Sequence, residues 1–363
     1  KSDYIFRLGG DEFTIILNDL IDSTDVAKVA DKIRKEISLP YSIKNHPIYI
    51  TGSIGISIYP DDGSNVESLV KNADMAMYAA KEAKQGYRFF TEEMNKKALE
   101  RMILENNLRN ALQHNQFVLF YQPMVDNRNQ IVEVEALLRW RHPELGMINP
   151  AQFIPLAEET GMIIPIGKWV LHTACQQISL WHQKGYSDLC GAINLSTRQF
   201  KEPDLVDMIE QVLQLTGLPP ECLKLELTES GIMENPEQAI AKMQNLRAKG
   251  IHFSIDDFGT GYSSLNYLKR FPIDTLKIDR SFVADCITDK DDQEIIKTII
   301  AMARNLNMNT VAEGVETKEQ LEFLIRHECQ VMQGYYFGRP MPADEFEKCL
   351  QCRSLIGAKR MEH

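Results

Sequence analysis

The sequence predicts an α/β protein: a (β/α)8 TIM-like barrel with an irregular antiparallel strand, preceded by a smaller, partial α+β domain. Three observations carry this. The chain has 363 residues, enough at about 150 per domain for one small domain beside one of barrel size. After residue 115, eight apolar, β-rich runs fall at about 117–124, 131–140, 190–195, 223–228, 252–256, 275–279, 309–313 and 330–333. The later runs are separated by amphipathic helical stretches, the alternation that builds a parallel sheet. The first two lie close enough to pair antiparallel, which makes the barrel irregular.

Before the barrel, residues 4–8 (YIFRL) and 13–17 (FTIIL) flank Gly9, Gly10, Asp11 and Glu12, the pattern of a β-hairpin. No upstream strand or covering helix accompanies it, so the expectation is an exposed two-stranded element belonging to a domain with further chain upstream. A helix over about 23–38, a strand pair around 43–58, a helix over 65–85 ending before Gly86 and a short YRFF strand follow. A polar, helical stretch without Gly or Pro then runs from Thr91 to Gln113. The boundary is placed near residue 97, giving domains 1–97 and 98–363.

Composition narrows the function classes. With 44% apolar and 25% charged residues, the chain is an ordinary globular protein. A net charge of −11 disfavours binding to a DNA or RNA polymer, yet leaves open an anionic substrate held through metal ions. Residues 1–97 carry −2 of that charge and the remainder −9. Seven scattered cysteines make no disulfide framework, and a reduced, cytoplasmic setting is expected. Cys349 and Cys352 form one C-x-x-C without the further ligands of a structural zinc site. No apolar run approaches the ~18 residues of a membrane span, and no signal-peptide pattern opens the chain; an anchor further upstream is left open.

The residues in and at the ends of the barrel runs carry the chemistry. They are Glu135 in VEALLRW, Asn194 in AINLS, Glu226 in LKLELTE, Asp256 and Asp257 in FSIDDFG, Lys277 in TLKID, Glu313 in VAEG and Gln333 in MQG. One such acid is usually a helix cap or a solvated strand end. Together they differ, because the parallel strands of one barrel aim their C-termini at one mouth, where five acids repel one another without counter-charge. A divalent cation is the simplest remedy. Carboxylates and an amide oxygen suit Mg²⁺ or Mn²⁺, with Ca²⁺ competing by size, and no Cys or His cluster supports zinc. Adjacent aspartates can serve two ions, as two-metal phosphoryl chemistry requires. Lys277 reads equally well as a cation beside the reacting groups and as a lysine paired with a neighbouring carboxylate.

Two glycine motifs fail. GMIIPIGK at 161–168 has five intervening residues rather than four and continues to Trp169, so it is not a phosphate-binding P-loop. Gly259-Thr260-Gly261 lacks the third glycine of a dinucleotide fingerprint and follows two aspartates; it reads as a tight active-site loop.

From about residue 98 to 350 the chain resembles the EAL domain, the bacterial cyclic di-GMP phosphodiesterase. The matching strings, in order, are Glu135-Ala136-Leu137-Leu138-Arg139, Asn194-Leu195-Ser196, Glu226-Leu227-Thr228-Glu229-Ser230, Asp256 through Ser264, Lys277-Ile278-Asp279, Ala312-Glu313-Gly314-Val315-Glu316 and Gln333-Gly334. The resemblance implies hydrolysis of cyclic di-GMP to linear pGpG with two Mg²⁺ or Mn²⁺ ions, Ca²⁺ being inhibitory. It implies a metal site of Glu135, Asn194, Glu226, Asp256, Asp257 and Glu313. Lys277 would sit on the nucleophilic water, Gln333 would support the site, and Gln122 and Arg139 would contact substrate. Glu229 would anchor the Asp256–Ser264 loop, which the family also couples to homodimerisation. A non-catalytic cyclic di-GMP receptor is the alternative within the same resemblance.

Residues 1–97 resemble the C-terminal part of a GGDEF domain, the diguanylate cyclase fold. The motif Gly9-Gly10-Asp11-Glu12-Phe13 is intact, and Ala73-Asp74-Met75-Ala76-Met77-Tyr78 matches further on. The resemblance implies Asp11 at metals and the two glycines against GTP phosphates in an intact domain. The first metal-binding Asp would lie upstream. Asp3 fits the second charged residue of the inhibitory R-x-x-D site, whose Arg would precede Lys1. Cyclase activity is not expected of this chain, and the segment is expected to be regulatory or structural.

Overall fold

The computed structural model describes residues 3–18, 23–43, 46–259 and 265–351. Thr260 through Ser264, Cys352 and Lys1, which the sequence reading singled out, lie outside the described residues. The chain divides into two units, residues 1–104 and 105–363.

In the first unit, β1 (Tyr4–Gly9) and β2 (Glu12–Ile16) pair antiparallel, with Tyr4 opposite Ile16. The turn needs glycine at Gly10, whose φ is +52°, and Arg7 donates from Nη2 to the Gly10 carbonyl at 2.6 Å. Apolar side chains of this hairpin face solvent, Ile5 at 71% and Phe13 at 62% exposure. Helix α1 (Ser23–Ile37) buries Val26 and Ala30 against Ile56. Strands β3 (Tyr41–Ile43) and β4 (His46–Ile48) form a separate antiparallel pair. β5 (Ile54–Ile56) pairs instead with β6 (Tyr87–Phe89), in parallel, across helix α2 (Val66–Glu82). Thus the predicted strand pair around 43–58 resolves into two different sheets. α2 starts at an Asn65 capping box and rests so closely on β5 that a Cβ on Gly55 would meet the Ala73 carbonyl at 1.8 Å. Helix α3 (Glu92–Ala111) carries the chain from one unit into the next.

The second unit is the barrel. Its wall strands are β7 (Phe117–Asp126), β8 (Ile131–His142), β10 (Cys190–Asn194), β11 (Leu223–Thr228), β12 (His252–Phe258), β13 (Thr275–Ile278), β14 (Asn309–Ala312) and β15 (Val331–Gln333). The short β9 (Gly146–Ile148), which the sequence reading did not separate, extends β8 outside the wall. Closure comes from β10 pairing in parallel with β8. β7 alone among the wall strands runs antiparallel to both its neighbours, β8 and β15. Each predicted run is therefore a wall strand, and the irregularity sits at the first two.

Outside the wall lie α4 (Pro150–Thr160), α5 (Ile163–Gln183), α6 (Thr197–Lys201), α7 (Leu205–Thr216), α8 (Glu229–Met233), α9 (Pro236–Ala248), α10 (Leu265–Leu268), α11 (Arg280–Asp285), α12 (Lys290–Asn305), α13 (Lys318–Arg326) and α14 (Ala343–Gln351). The near-miss P-loop is the joint of two of these. Gly161, at φ +80°, is the left-handed cap ending α4, and residues 163–168 already belong to α5. Inside the wall, Met124, Ala192 and Val311 pack with Val331 as an apolar layer. It is a filled core beneath the mouth, as such barrels require. No described helix is long and apolar enough to cross a membrane.

Candidate active site

Lys277 organises the mouth. It lies on β13 with its side chain 1% exposed. Its Nζ is 2.6 Å from Glu313 Oε1, 2.8 Å from Glu226 Oε2, 3.1 Å from Asp256 Oδ1 and 3.9 Å from Glu135 Oε2. These acids come from β8, β11, β12 and the residue after β14, so barrel closure assembles them. Glu135 lies in mid-strand rather than at a strand end, because β8 continues to His142 to pair with β7 and β9.

A ring of amides fixes Glu135. Asn194 donates Nδ2 to its Oε1 at 2.6 Å, and Gln333 donates Nε2 to its Oε2 at 2.6 Å. The Gln333 amide also reaches Gln122 Oε1 at 3.0 Å, and Gln122 donates to the Gly338 carbonyl at 3.1 Å. Glu226 accepts a longer bond from Ser254 Oγ at 3.4 Å. Glu229, the first residue of α8, accepts the Gly259 backbone N–H at 3.3 Å through Oε2, at the start of the glycine loop. Asp257 stands at φ +53°, a left-handed conformation that non-glycine residues seldom adopt. Arg139 donates to the Leu138 carbonyl at 2.9 Å and lies over the Phe120 ring, 5.6 Å from its centroid.

The electrostatics are those of too many acids in too little water. Burial pushes Glu226 well above the usual carboxylate range; Lys277 opposes this, while Glu135 and Asp256 add to it. Burial likewise raises Glu313 to about 8, against the pull of Lys277 and with the push of Asp256 and Glu135. Asp257 rises to about 6 through burial, Asp256 and Asp279. Burial alone would lower Lys277, but Asp256, Glu135, Glu226 and Glu313 hold it well above the ordinary lysine value. Lys277 is therefore an ammonium at neutral pH, paired with neighbouring carboxylates.

These residues fit a divalent cation. Asp256, Asp257 and Glu313 each offer a carboxylate oxygen, all within 4.8 Å of one another. Gln333 Oε1 is buried with no hydrogen-bond partner among the described residues, and such an orphaned acceptor is costly unless something else binds it. Oxygen donors alone suit a hard ion.

The structure brings together Gln122, Glu135, Asn194, Glu226, Asp256, Lys277, Glu313 and Gln333 in one linked network, with Asp257 beside it. Arg139 has no hydrogen bond to that network among the described residues. Gly9, Gly10, Asp11, Glu12 and Phe13 belong to the other unit, where the Gly9–Glu12 turn carries the motif. Two further members of the neighbourhood carry no site role in the sequence motifs. Ser254 is 1% exposed and sits two residues before Asp256, where period-two alternation puts it on the same face. Asp279 hydrogen-bonds Asp257, and despite burial is held low by the Ser281 hydroxyl and backbone and by Asp257. Its position two residues after Lys277, at the end of β13, also marks it as a cap for α11, which it is.

A closed barrel whose strands gather acids, amides and one buried lysine at a single mouth defines an enzyme class that works through divalent cations. Within that class the chain belongs to the EAL family: the model of the EAL domain matches residues 105–340. The model of the diguanylate cyclase GGDEF domain matches residues 1–87. The chain is 48% identical over 345 residues to the bifunctional diguanylate cyclase/cyclic di-GMP phosphodiesterase MucR of Pseudomonas aeruginosa, covering 94% of this chain and 50% of that protein. It is 40% identical over 352 residues to the cyclic di-GMP phosphodiesterase NbdA of the same organism, covering 96% of this chain and 45% of that protein. The chain thus spans about half the length of these curated relatives. The solved PaMucR phosphodiesterase in its c-di-GMP complex superposes with TM-score 0.66 at 50% identity, over 67% of this chain and 99% of that one.

Proposed function

We propose that the barrel hydrolyses one phosphodiester of cyclic di-GMP to give linear pGpG. The observation that carries the reading is the Lys277-centred carboxylate cluster at the mouth of a barrel of the EAL family. Glu135, Asn194, Glu226, Asp256, Asp257 and Glu313 would hold two ions, Mg²⁺ or Mn²⁺. When bound, such ions supply Lewis-acid charge at the phosphoryl oxygens and lower the pKa of water. Ca²⁺ would inhibit, because its larger and looser shell misplaces the reacting groups.

The remaining roles belong to side chains. Lys277 keeps its proton and places positive charge where the attacking water and the phosphate would meet. Gln333 and Asn194 hold the Glu135 carboxylate in one orientation. Gln122 and Arg139 would bind substrate, the guanidinium matching a phosphate fork. Glu229 would tether the loop that begins at Gly259. Pairing of two barrels into a homodimer, and GTP binding by an intact GGDEF domain that carries the Gly9–Phe13 motif, complete the reading for the whole protein, as does a cytoplasmic location.

Chromatography of the products of purified chain with cyclic di-GMP tests it. pGpG should accumulate with Mg²⁺ or Mn²⁺ and cease on adding Ca²⁺. Tight ligand binding without pGpG under either ion would replace the enzyme by a receptor. Glu135→Ala should remove turnover while the circular dichroism spectrum is unchanged; retained turnover would refute the metal assignment.

A further inference from the structure

At the end of the barrel away from the acidic mouth, two thiols stand side by side. β10 and β11 run parallel, with Gly191 opposite Leu223 and Asn194 opposite Glu226. Cys190 immediately precedes Gly191, and Cys222, the last residue of a 3-10 turn (Pro220–Cys222), immediately precedes Leu223, so the two cysteines flank the first paired rung. Neighbouring strands lie about 4.7–4.9 Å apart, inside the ~4.4–6.8 Å Cα separation that a disulfide spans. The Cys190 thiol donates to the Asp188 carbonyl at 3.9 Å and to the carbonyl of Glu221, the residue before Cys222, at 3.8 Å, and the two thiols are close enough to bear on each other's titration. Cys190 is half-buried and Cys222 is 8% exposed, so a small reagent reaches the first while the second waits behind it.

We propose that Cys190 and Cys222 form a dithiol modification site that a small-molecule disulfide oxidant closes to an intramolecular disulfide. The Cys190 sulfur, having released its proton to solvent, attacks one sulfur of the oxidant. The oxidant's S–S bond breaks, and the first oxidant thiolate leaves and takes up a proton. The Cys222 sulfur loses its proton in turn and attacks the Cys190 sulfur, forming the new bond and expelling the second oxidant thiol. The protein gives up two electrons and two protons, and the oxidant receives both.

Burial, then the neighbouring Cys222 and Glu133, push the Cys190 thiol up to about 12, and burial also raises Cys222. Thiolate is therefore scarce near neutrality, and closure speeds up roughly tenfold per pH unit below that value. The bond would tie the starts of the two strands whose other ends carry Asn194 and Glu226, about 13 Å away at ~3.3 Å per residue. It would add stability without entering the mouth.

The test uses the full chain, first reduced, then incubated with oxidised glutathione for matched times over a pH series from about 7.5 to 9.5, across which closure should speed up about tenfold per unit. Free thiols are alkylated and the digest is mapped by mass spectrometry. The expected result is a peptide pair joined through Cys190 and Cys222, lighter by two hydrogens. Tm should rise by roughly 5 °C or more for a loop of this length. Cys190→Ser, a near-isosteric change, should abolish both. Absence of the Cys190–Cys222 peptide, a map whose only crosslink joins Cys349 and Cys352, or the same rise in Tm in Cys190→Ser would each overturn the proposal.

Discussion

Replacing Lys277 by methionine keeps most of the side chain's length and volume and deletes only its charge. Nζ lies within 3.1 Å of oxygens of Glu226, Asp256 and Glu313, and the side chain is 1% exposed, so no water substitutes for the lost ammonium. Removing one partner of a buried ion pair costs about 3–5 kcal/mol, and here several carboxylates share the lost partner. For a folding unit of this size, each kcal/mol moves Tm by roughly 2–4 °C. In chelator, Lys277→Met should therefore melt about 6–20 °C below the parent chain. Saturating Mg²⁺ should return part of that loss, because an ion at 100 times its Kd adds about 2.7 kcal/mol and meets one more uncompensated negative charge in the variant. The assay is thermal unfolding followed by circular dichroism, each protein run with chelator and with Mg²⁺. If chelated Lys277→Met melts within about 2 °C of the parent, well inside the shift expected for a broken buried pair, the acids do not depend on Lys277 and the argument fails.

The same cluster sets a pH dependence. Glu313 rises from 4.5 to about 8 and Asp257 from 3.8 to about 6, so both bind protons more tightly folded than unfolded. Their contribution is complete below the unfolded values and is lost as pH rises through 6 and 8. The gain in urea midpoint on adding Mg²⁺ should consequently widen from pH 5 to pH 8, and a gain independent of pH would contradict the assignment. Gly334→Ala should destabilise the barrel by about 2–4 kcal/mol through overpacking, since its Cβ would meet Val315 backbone atoms at 2.0–2.6 Å; urea unfolding of the variant at parental stability would show that the strand end yields more easily than its packing implies.

The barrel was legible because its strands are short apolar runs with polar residues at fixed parity, and parity survives folding. Thus Glu226, Asp256 and Lys277 each read in the sequence as a polar residue within or ending an apolar strand. Chain-distant pairing was not legible. Nothing in the local sequence says that β5 leaves β3 and β4 to join β6, a choice made by where α2 packs. Nor does spacing alone reveal that one lysine serves four acids, because those acids are up to 178 residues apart in sequence from Glu135 to Glu313 and meet only when the wall closes. Asp279 shows the same blindness in reverse: its cap for α11 is local and readable, and its bond to Asp257 is not.

The reversed β7 has a consequence for how the polypeptide reaches its working end. In an all-parallel barrel the first strand would start at the floor, and everything upstream would be delivered to the side opposite the site. Here Phe117 pairs with Trp140, and Gln116 accepts the Arg141 N–H at 2.8 Å, so the strand begins at the rim and descends. Residues 105–116 therefore join the barrel at its rim, and the first wall residue to enter the acid network from upstream is Gln122. From Gln122 the chain is one hydrogen bond from Gln333 and, through it, two from Glu135.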